Sequence, residues 1–475
     1  MSGGDFTQRA PAAVNDPVLR RNFRRAMDGL MAKRAAQFTD TEAWNSLRER
    51  GAAAKARAVA RLPELLEQLE AKCTENGIRV HWAESTAEAN AIVLSILQAH
   101  GAKKVIKGKS MVSEEMELNH FLERNGVTAV ESDLGEYIIQ LAGEAPSHIV
   151  MPCIHKNKGE IAQLFADKIE GLSYTEDVDA LTAAARRVLR DEFASADAGI
   201  SGVNFAVAET GTLVLVENEG NGRLSTTLPP LHIALMGIEK LAEKLDDIPP
   251  LLSLLPRSAT GQPITTYVNM ITSPRKEGEK DGPREVHLVL LDSGRSRVYD
   301  DPELRDTLRC IRCGACMNHC PVYSRVGGHT YKFVYPGPIG KILTPQLEGL
   351  DCAGDQPHAS TLCNACVEVC PVKIPIANLL VRLRTEAVRP TDTPAVKGAG
   401  SRRTWRETMA WRGWEFMYAH SWAYSLATRV MARLGNLIPK NAPLMRDWTG
   451  EVRTKPKFAG KTLHELAREK GFDHE

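Results

Sequence analysis

The chain has 475 residues, and its 60 Lys and Arg balance 59 Asp and Glu to a net charge of +1. At roughly 150 residues per domain this length predicts about three folding units, and the balanced charge excludes a global field that would gather nucleic acid or an anionic membrane. No run of 18 apolar residues occurs and the opening MSGGDFTQRAPAAVNDPV has no apolar core behind a basic end, so neither a transmembrane segment nor a secretory signal is expected, and a soluble cytoplasmic protein is.

Residues 1–72 read as a helical segment. From Asp16 to Lys72 the chain is rich in Ala, Arg, Glu and Leu, with apolar residues three and four apart, which predicts two or three amphipathic helices. Their arginines read as solvated helix surface, with a docking face as the alternative.

Residues 73–296 change character. IRVHWA, KVIKG, SHIVMP, NFAVAE, GTLVLVEN and REVHLVLLD are predicted strands, and TAEANAIVLSILQAHG and ALTAAARRVLRDEF predicted helices. LPPLHIALMGIEKLAEKL reads as a strand or turn feeding another helix, and SPRKEGEKDGPREV as an exposed loop. The alternation implies an α/β domain with a largely parallel sheet covered on both faces. Its corner Asn218-Glu219-Gly220-Asn221-Gly222-Arg223 can present backbone N–H groups and the Arg223 fork to an anion, a plain turn being the alternative. Two nucleotide motifs fail. Gly108-Lys109-Ser110 has Lys at position 103 where a phosphate loop needs glycine, and Gly220 and Gly222 are followed by Ser225 rather than a third glycine. No NAD or ATP signature remains.

Residues 297–385 hold the chemistry. Eight of the ten cysteines lie between Cys310 and Cys370, and in a reducing cytoplasm that clustering points to metal rather than disulfides. Cys73 and Cys153 stand apart and read as small buried hydrophobes. The first motif is Cys310-x2-Cys313-x2-Cys316-x3-Cys320-Pro321 and the second Cys363-x2-Cys366-x3-Cys370-Pro371. In two-cluster ferredoxins the cysteine before each proline serves the other cluster. That rule predicts two [4Fe-4S] clusters, one on Cys310, Cys313, Cys316 and Cys370, the other on Cys320, Cys363 and Cys366. A full second motif would have cysteine at position 360, where this chain has Ser360. Cys352 eight residues earlier, Ser360, water or a partner's ligand are the choices for the fourth position. Zinc fits this spacing poorly. The intervening GGHTYKFVYPGPIGKILTPQLEGL is similar to the spacer in the helical ferredoxin modules of succinate dehydrogenase and glycolate oxidase iron–sulfur subunits; His329, Tyr331 and Tyr335 within it read as packing, with a place beside the electron path as the alternative.

Residues 386–475 begin with a predicted linker, VRPTDTPAVKGAGSRR, and continue as an aromatic-rich helical extension. Trp411, Trp414, Tyr418 and Trp422 step by three, four and four and are expected on one helix face, covered either by this chain or by another subunit.

AVAETGTLVLVENEGNGR with STTLPPLHIALMGIEK, joined to CIRCGACMNHCPVY and LCNACVEVCPVKIP, resembles the lactate utilization protein B family over nearly the whole chain. The resemblance implies a LUD domain of the NagB/RpiA/CoA-transferase-like α/β group beside a helical two-cluster ferredoxin-like domain. It also implies an iron–sulfur subunit of a complex that oxidises L-lactate to pyruvate, working with a cysteine-rich subunit and a second LUD protein. Removing two electrons from a 2-hydroxy acid normally needs a two-electron centre, whereas each cluster takes one. The chain is therefore expected to pass electrons between a donor and an acceptor protein, in the cytoplasm or peripheral to the inner membrane. The competing reading makes the LUD half a ligand-binding or catalytic module with Glu209, Arg223 and His232 as its constellation, and the clusters a redox sensor or servants of another 2-hydroxy acid such as glycolate. The bland account has Glu209 ending a strand, Arg223 in a surface ion pair and His232 in the core.

Overall fold

Four helices open the chain, Phe6–Asn15, Pro17–Gln37, Thr41–Ala60 and Leu62–Glu75, the last three filling the stretch from Asp16 where the composition predicts two or three. Side chains set the starts. The Asp16 carboxylate accepts the N–H groups of Val18 and Leu19, with Pro17 where a missing N–H costs nothing, and Asp40 does the same for Glu42 and Ala43. Phe23, Met27, Leu65 and Leu69 turn inward and are fully buried. The computed structural model describes residues 6–108, 110–388, 396–398, 404–449 and 453–472. Lys109 and most of the predicted linker lie outside the described residues. The chain forms two compact units, Met1–Gly400 and Ser401–Glu475.

The first unit is built around ten strands: β1 (Arg79–Ala83), β2 (Lys104–Gly108), β3 (Thr128–Glu131), β4 (Ala198–Gly202), β5 (Phe205–Val207), β6 (Thr212–Glu217), β7 (Leu231–Gly237), β8 (Leu241–Ala242), β9 (Tyr267–Ile271) and β10 (Glu285–Leu291). Six of them make one sheet in the order β1-β10-β7-β4-β2-β3, every pairing parallel. All seven residues of β7 are buried, as a central strand with both faces covered requires. Chain order diverges between β2 and β4: β2 leads outward to β3, while β4 leads the other way through β7 to β10. A smaller sheet, β8-β5-β6-β9, pairs mostly antiparallel and leaves β9 half exposed at its edge. One continuous core joins the opening helices, the inner face of both sheets and the cysteine region.

The structure corrects three expectations. SHIVMP is not a strand: the His148 Nδ1 accepts the N–H groups of Val150 and Met151, and Ser147 donates to the Pro152 carbonyl, so a side chain rather than a neighbouring strand satisfies this backbone. IEKLAEKL is not a helix but a 3₁₀ turn, Ile238–Lys240, followed by β8. In the second unit, His420 breaks the aromatic face between helices Trp405–Ala419 and Ser421–Leu434. Trp411, Trp414 and Tyr418 remain together on the first, with ring centroids 5.8 and 4.3 Å apart, while Trp422 lies in the first turn of the second and meets Phe416 at 6.0 Å. All four rings are about half exposed. No helix among the described residues is long and apolar enough to cross a membrane.

Candidate metal centres and the adjoining cavity

The two cysteine motifs fold as copies of one loop. Arg312 (φ 58°) and Gly314 (φ 74°) turn the chain on either side of Cys313, and the short helix Ala315–Asn318 then carries Cys316. In the second copy Leu362 (φ 54°) and Asn364 (φ 64°) flank Cys363, and helix Ala365–Glu368 carries Cys366. A Cβ on Gly314 would lie 3.2 Å from His148 and 3.3 Å from Val150, so glycine answers both the left-handed backbone and the close approach. In this repeat Ser360 stands where Cys310 does.

Cys310, Cys313 and Cys316 line a small cavity together with Cys370 of the second motif; Cys363 and Cys366 line another together with Cys320 of the first. Backbone N–H groups point at the sulfurs: Arg312 at Cys310 (3.4 Å), Tyr323 at Cys320 (3.4 Å) and Ile374 at Cys370 (3.3 Å). The Lys341 Nζ lies 3.6 Å from the Cys320 Sγ. Arg48 donates to the carbonyls of Cys370 and Val367, and Arg34 to that of Val369, so arginines of the opening helices clasp the second loop.

The residues fit an iron–sulfur group. Sulfur donors select soft metals, and apart from Arg312 the remaining wall of the first cavity, including Ile149, Ile311 and Ile339, is apolar. Burial pushes the Cys313 and Cys316 thiols well above their ordinary range, and Cys366 to about 11. Four thiolates this close in a dry pocket need a compensating cation. Cys363 departs from the others, lowered by hydrogen bonding first from the Ala365 N–H. Ser360 and Thr361 line the second cavity, while Cys352 sits exposed on helix Leu350–Ala353 and lines neither. Cys73 is buried, its thiol pushed up to about 12 by desolvation. Cys153 is half-buried on the wall of a third, larger cavity.

That cavity, of about 660 Å³, lies at the carboxyl ends of the parallel strands. Ser110 follows β2, Asp133 follows β3, Val203 follows β4 and Lys240 follows β7; Arg312 and Tyr335 reach in from the cysteine region. Beneath it runs a buried ionic chain. Arg295 donates to Glu239 and to Glu115 at 2.6 Å each, Arg312 donates to Glu239 at 3.1 Å, and the Tyr335 hydroxyl donates to Glu115. Burial alone would raise the Glu239 carboxyl, but Arg295 and Arg312 hold it down to about 2. Burial, reinforced by neighbouring cations, brings Lys55 down to about 7 and Lys240 to about 8. Sequence reasoning missed Glu115, Glu239, Lys240, Arg295 and Arg312 because they come from separate segments. The one available signal was charge inside apolar or cysteine-rich runs, as in MGIEKLA and CIRC.

The candidates Glu209, Arg223 and His232 occupy three different surroundings, and none lines this cavity. Glu209 is exposed and accepts the N–H of Leu245. Arg223 is exposed on helix Asn221–Thr227, whose first N–H groups, of Gly222 and Arg223, are taken by the Glu217 carboxylate. His232 is fully buried in β7, bonded to the Ser201 hydroxyl, and desolvation lowers it to about 4. Of the spacer residues, Tyr331 is buried in the core, Tyr335 lines the cavity, and His329 stacks edge-on to His155 beside Glu144.

Comparison with known proteins matches three family models along the chain: the LUD domain over residues 66–291, a 4Fe-4S dicluster domain over 306–374, and Lactate utilisation protein B, C-terminal, over 382–472. Lactate utilization protein B of Shouchella clausii is 39% identical over 100% of this chain and 99% of that one. Lactate utilization protein B of Bacillus subtilis (strain 168) is 42% identical over 81% of this chain and 80% of its own, and Uncharacterized electron transport protein YkgF of Escherichia coli (strain K12) is 44% identical over the same shares.

Proposed function

This chain belongs to the lactate utilization protein B family, and from that premise we propose that it is the iron–sulfur electron-transfer subunit of a complex that oxidises L-lactate to pyruvate and allows growth on lactate. The observation that carries the reading is the pair of sulfur-lined cavities, each drawing one cysteine from the other motif. In this reading Cys310, Cys313, Cys316 and Cys370 hold one [4Fe-4S] cluster, and Cys320, Cys363 and Cys366 hold the second. The second cluster's remaining position belongs to Ser360 on the cavity wall rather than to the exposed Cys352. When bound, such clusters supply one-electron transfer.

The chain's own residues do the rest. The largely apolar wall of the first cavity excludes water, and the N–H groups of Arg312, Tyr323 and Ile374 hydrogen-bond ligand sulfurs, which raises their potentials. Because a 2-hydroxy acid releases electrons in pairs, the reading includes partner subunits, one cysteine-rich and one a second LUD protein, with the assembly in the cytoplasm or peripheral to the inner membrane. The parallel six-stranded sheet supports a NagB/RpiA/CoA-transferase-like LUD fold. Anaerobic purification should yield about eight irons with matching labile sulfide per chain and two interacting paramagnetic centres on reduction. Zinc without sulfide would refute the reading, as would lactate oxidation by this chain alone at the rate of the assembled complex.

A further inference from the structure

Two cationic side chains on the wall of the large cavity have donors to spare. Lys240 is buried, and its Nζ makes no hydrogen bond with any described residue. Arg312 spends Nη2 on Glu239 and its flat face on Tyr335, 4.6 Å from the ring centre, leaving the buried Nε and Nη1 unpartnered. Buried donors normally have partners, and two cations on one wall call for an anionic acceptor.

The acids around the same cavity are already engaged. Asp133 caps helix Leu134–Ala142, Glu217 accepts from Gly222, Arg223 and Asn269, and Glu219 accepts from Leu134. Lys156 is paired with Glu144. Glu136, on the same wall, has a partner as well, so the donors to spare around this cavity belong to Lys240 and Arg312. Its place in the fold agrees: in open parallel sheets ligands bind beyond the carboxyl ends of the strands, where chain order diverges, here between β2 and β4. A volume of about 660 Å³ falls within the ordinary range for small-molecule sites.

We propose that this cavity binds a small organic carboxylate, held by Lys240 and Arg312 on the wall shared with the first cysteine cavity. Arg312 makes that wall, since the residue lines both cavities and its backbone N–H donates to the Cys310 sulfur. The left-handed backbone of Arg312, unusual for a side chain of this size, delivers both contacts at once. That the ligand is a carboxylate follows from the two cations; that it is a 2-hydroxy or 2-oxo acid rests on the function proposed above.

The test is calorimetric titration of the full-length, anaerobically purified protein with L-lactate and pyruvate, and with lactamide as the uncharged match in shape. The carboxylates should bind at least about tenfold more tightly than lactamide, and Lys240→Met should weaken them by at least about tenfold while exposed Arg187→Met does not. Equal binding of lactate and lactamide, no binding of either carboxylate, or full-strength binding by Lys240→Met at wild-type iron content would overturn the proposal. If Lys240→Met does not fold, the lactate and lactamide comparison on the wild type decides. Iron, sulfide and paramagnetic signals counted on the same samples separate the two readings. Two reducible clusters without carboxylate binding sink this proposal alone, and carboxylate binding without clusters sinks only the electron-carrier function.

Discussion

Lys341 offers the sharpest perturbation of the proposed second centre. It lies on helix Gly337–Glu348, is completely buried, and places its Nζ 3.6 Å from the Cys320 sulfur and 5.5 Å from the centre of the Tyr331 ring. Lys341→Met keeps the length and packing of the stem and removes the donor. A hydrogen bond to a charged acceptor is worth about 1.5–3 kcal/mol. An added electron increases the negative charge on sulfur, so up to that amount separates the reduced from the oxidised centre. At about 59 mV per tenfold change for one electron, the second midpoint should fall by up to about 60–130 mV. The first centre takes its sulfur hydrogen bonds from Arg312 and Ile374 and should keep its midpoint. A redox titration followed by paramagnetic resonance resolves the two. An unchanged second midpoint, or an equal shift in both, would refute the assignment of Cys320 to the second cavity's centre.

Cysteine substitutions divide the ligands: Cys363→Ala should lower iron from about eight to about four per chain, whereas Cys352→Ala should leave the count unchanged. Arg295→Met removes the guanidinium that Glu115 and Glu239 contact at 2.6 Å each and leaves Tyr335 and Arg312 as their side-chain donors; breaking such a buried pair costs about 3–5 kcal/mol. With about 2.1 cal/mol/K of unfolding entropy per residue over roughly 400 residues, Tm should drop by about 4–6 °C; calorimetry showing no drop would contradict the ionic chain. Burial lowers His148 and His232 from 6.5 to about 4, so between those values the unfolded chain binds the extra protons. Their contribution, about 3 kcal/mol each, is present above pH 6.5 and lost as pH falls toward 4. Tm should therefore decline between pH 7 and 5, and a His148→Gln/His232→Gln variant should decline less; equal slopes would remove histidine as the cause.

Helix Thr86–Ala99 and strands β2, β6 and β10 were legible because their apolar periods are local. TAVE and AGISG passed unread. They are short and poor in strong strand formers, and they become β3 and β4 because parallel neighbours supply their hydrogen bonds. SHIVMP misled in the opposite direction, since a histidine ring captures the N–H groups a strand would need. In the site, the motif cysteines announced themselves by spacing. Arg312 stood between two of them without any sign that its side chain would reach Glu239, 73 positions away in sequence.

By itself, the sequence determined the chemistry of the cysteine loops, the alternation of helix and strand, and the family, because metal-ligand spacing and hydrophobic period are properties of neighbouring residues along a chain. Only the tertiary structure decided that Lys240 and Arg312 share a cavity wall, that Glu239 is held ionised between arginines, and that Glu209, Arg223 and His232 stand apart. Those facts depend on burial and on contacts between distant segments, and a buried charge has no meaning until the packing that desolvates it exists.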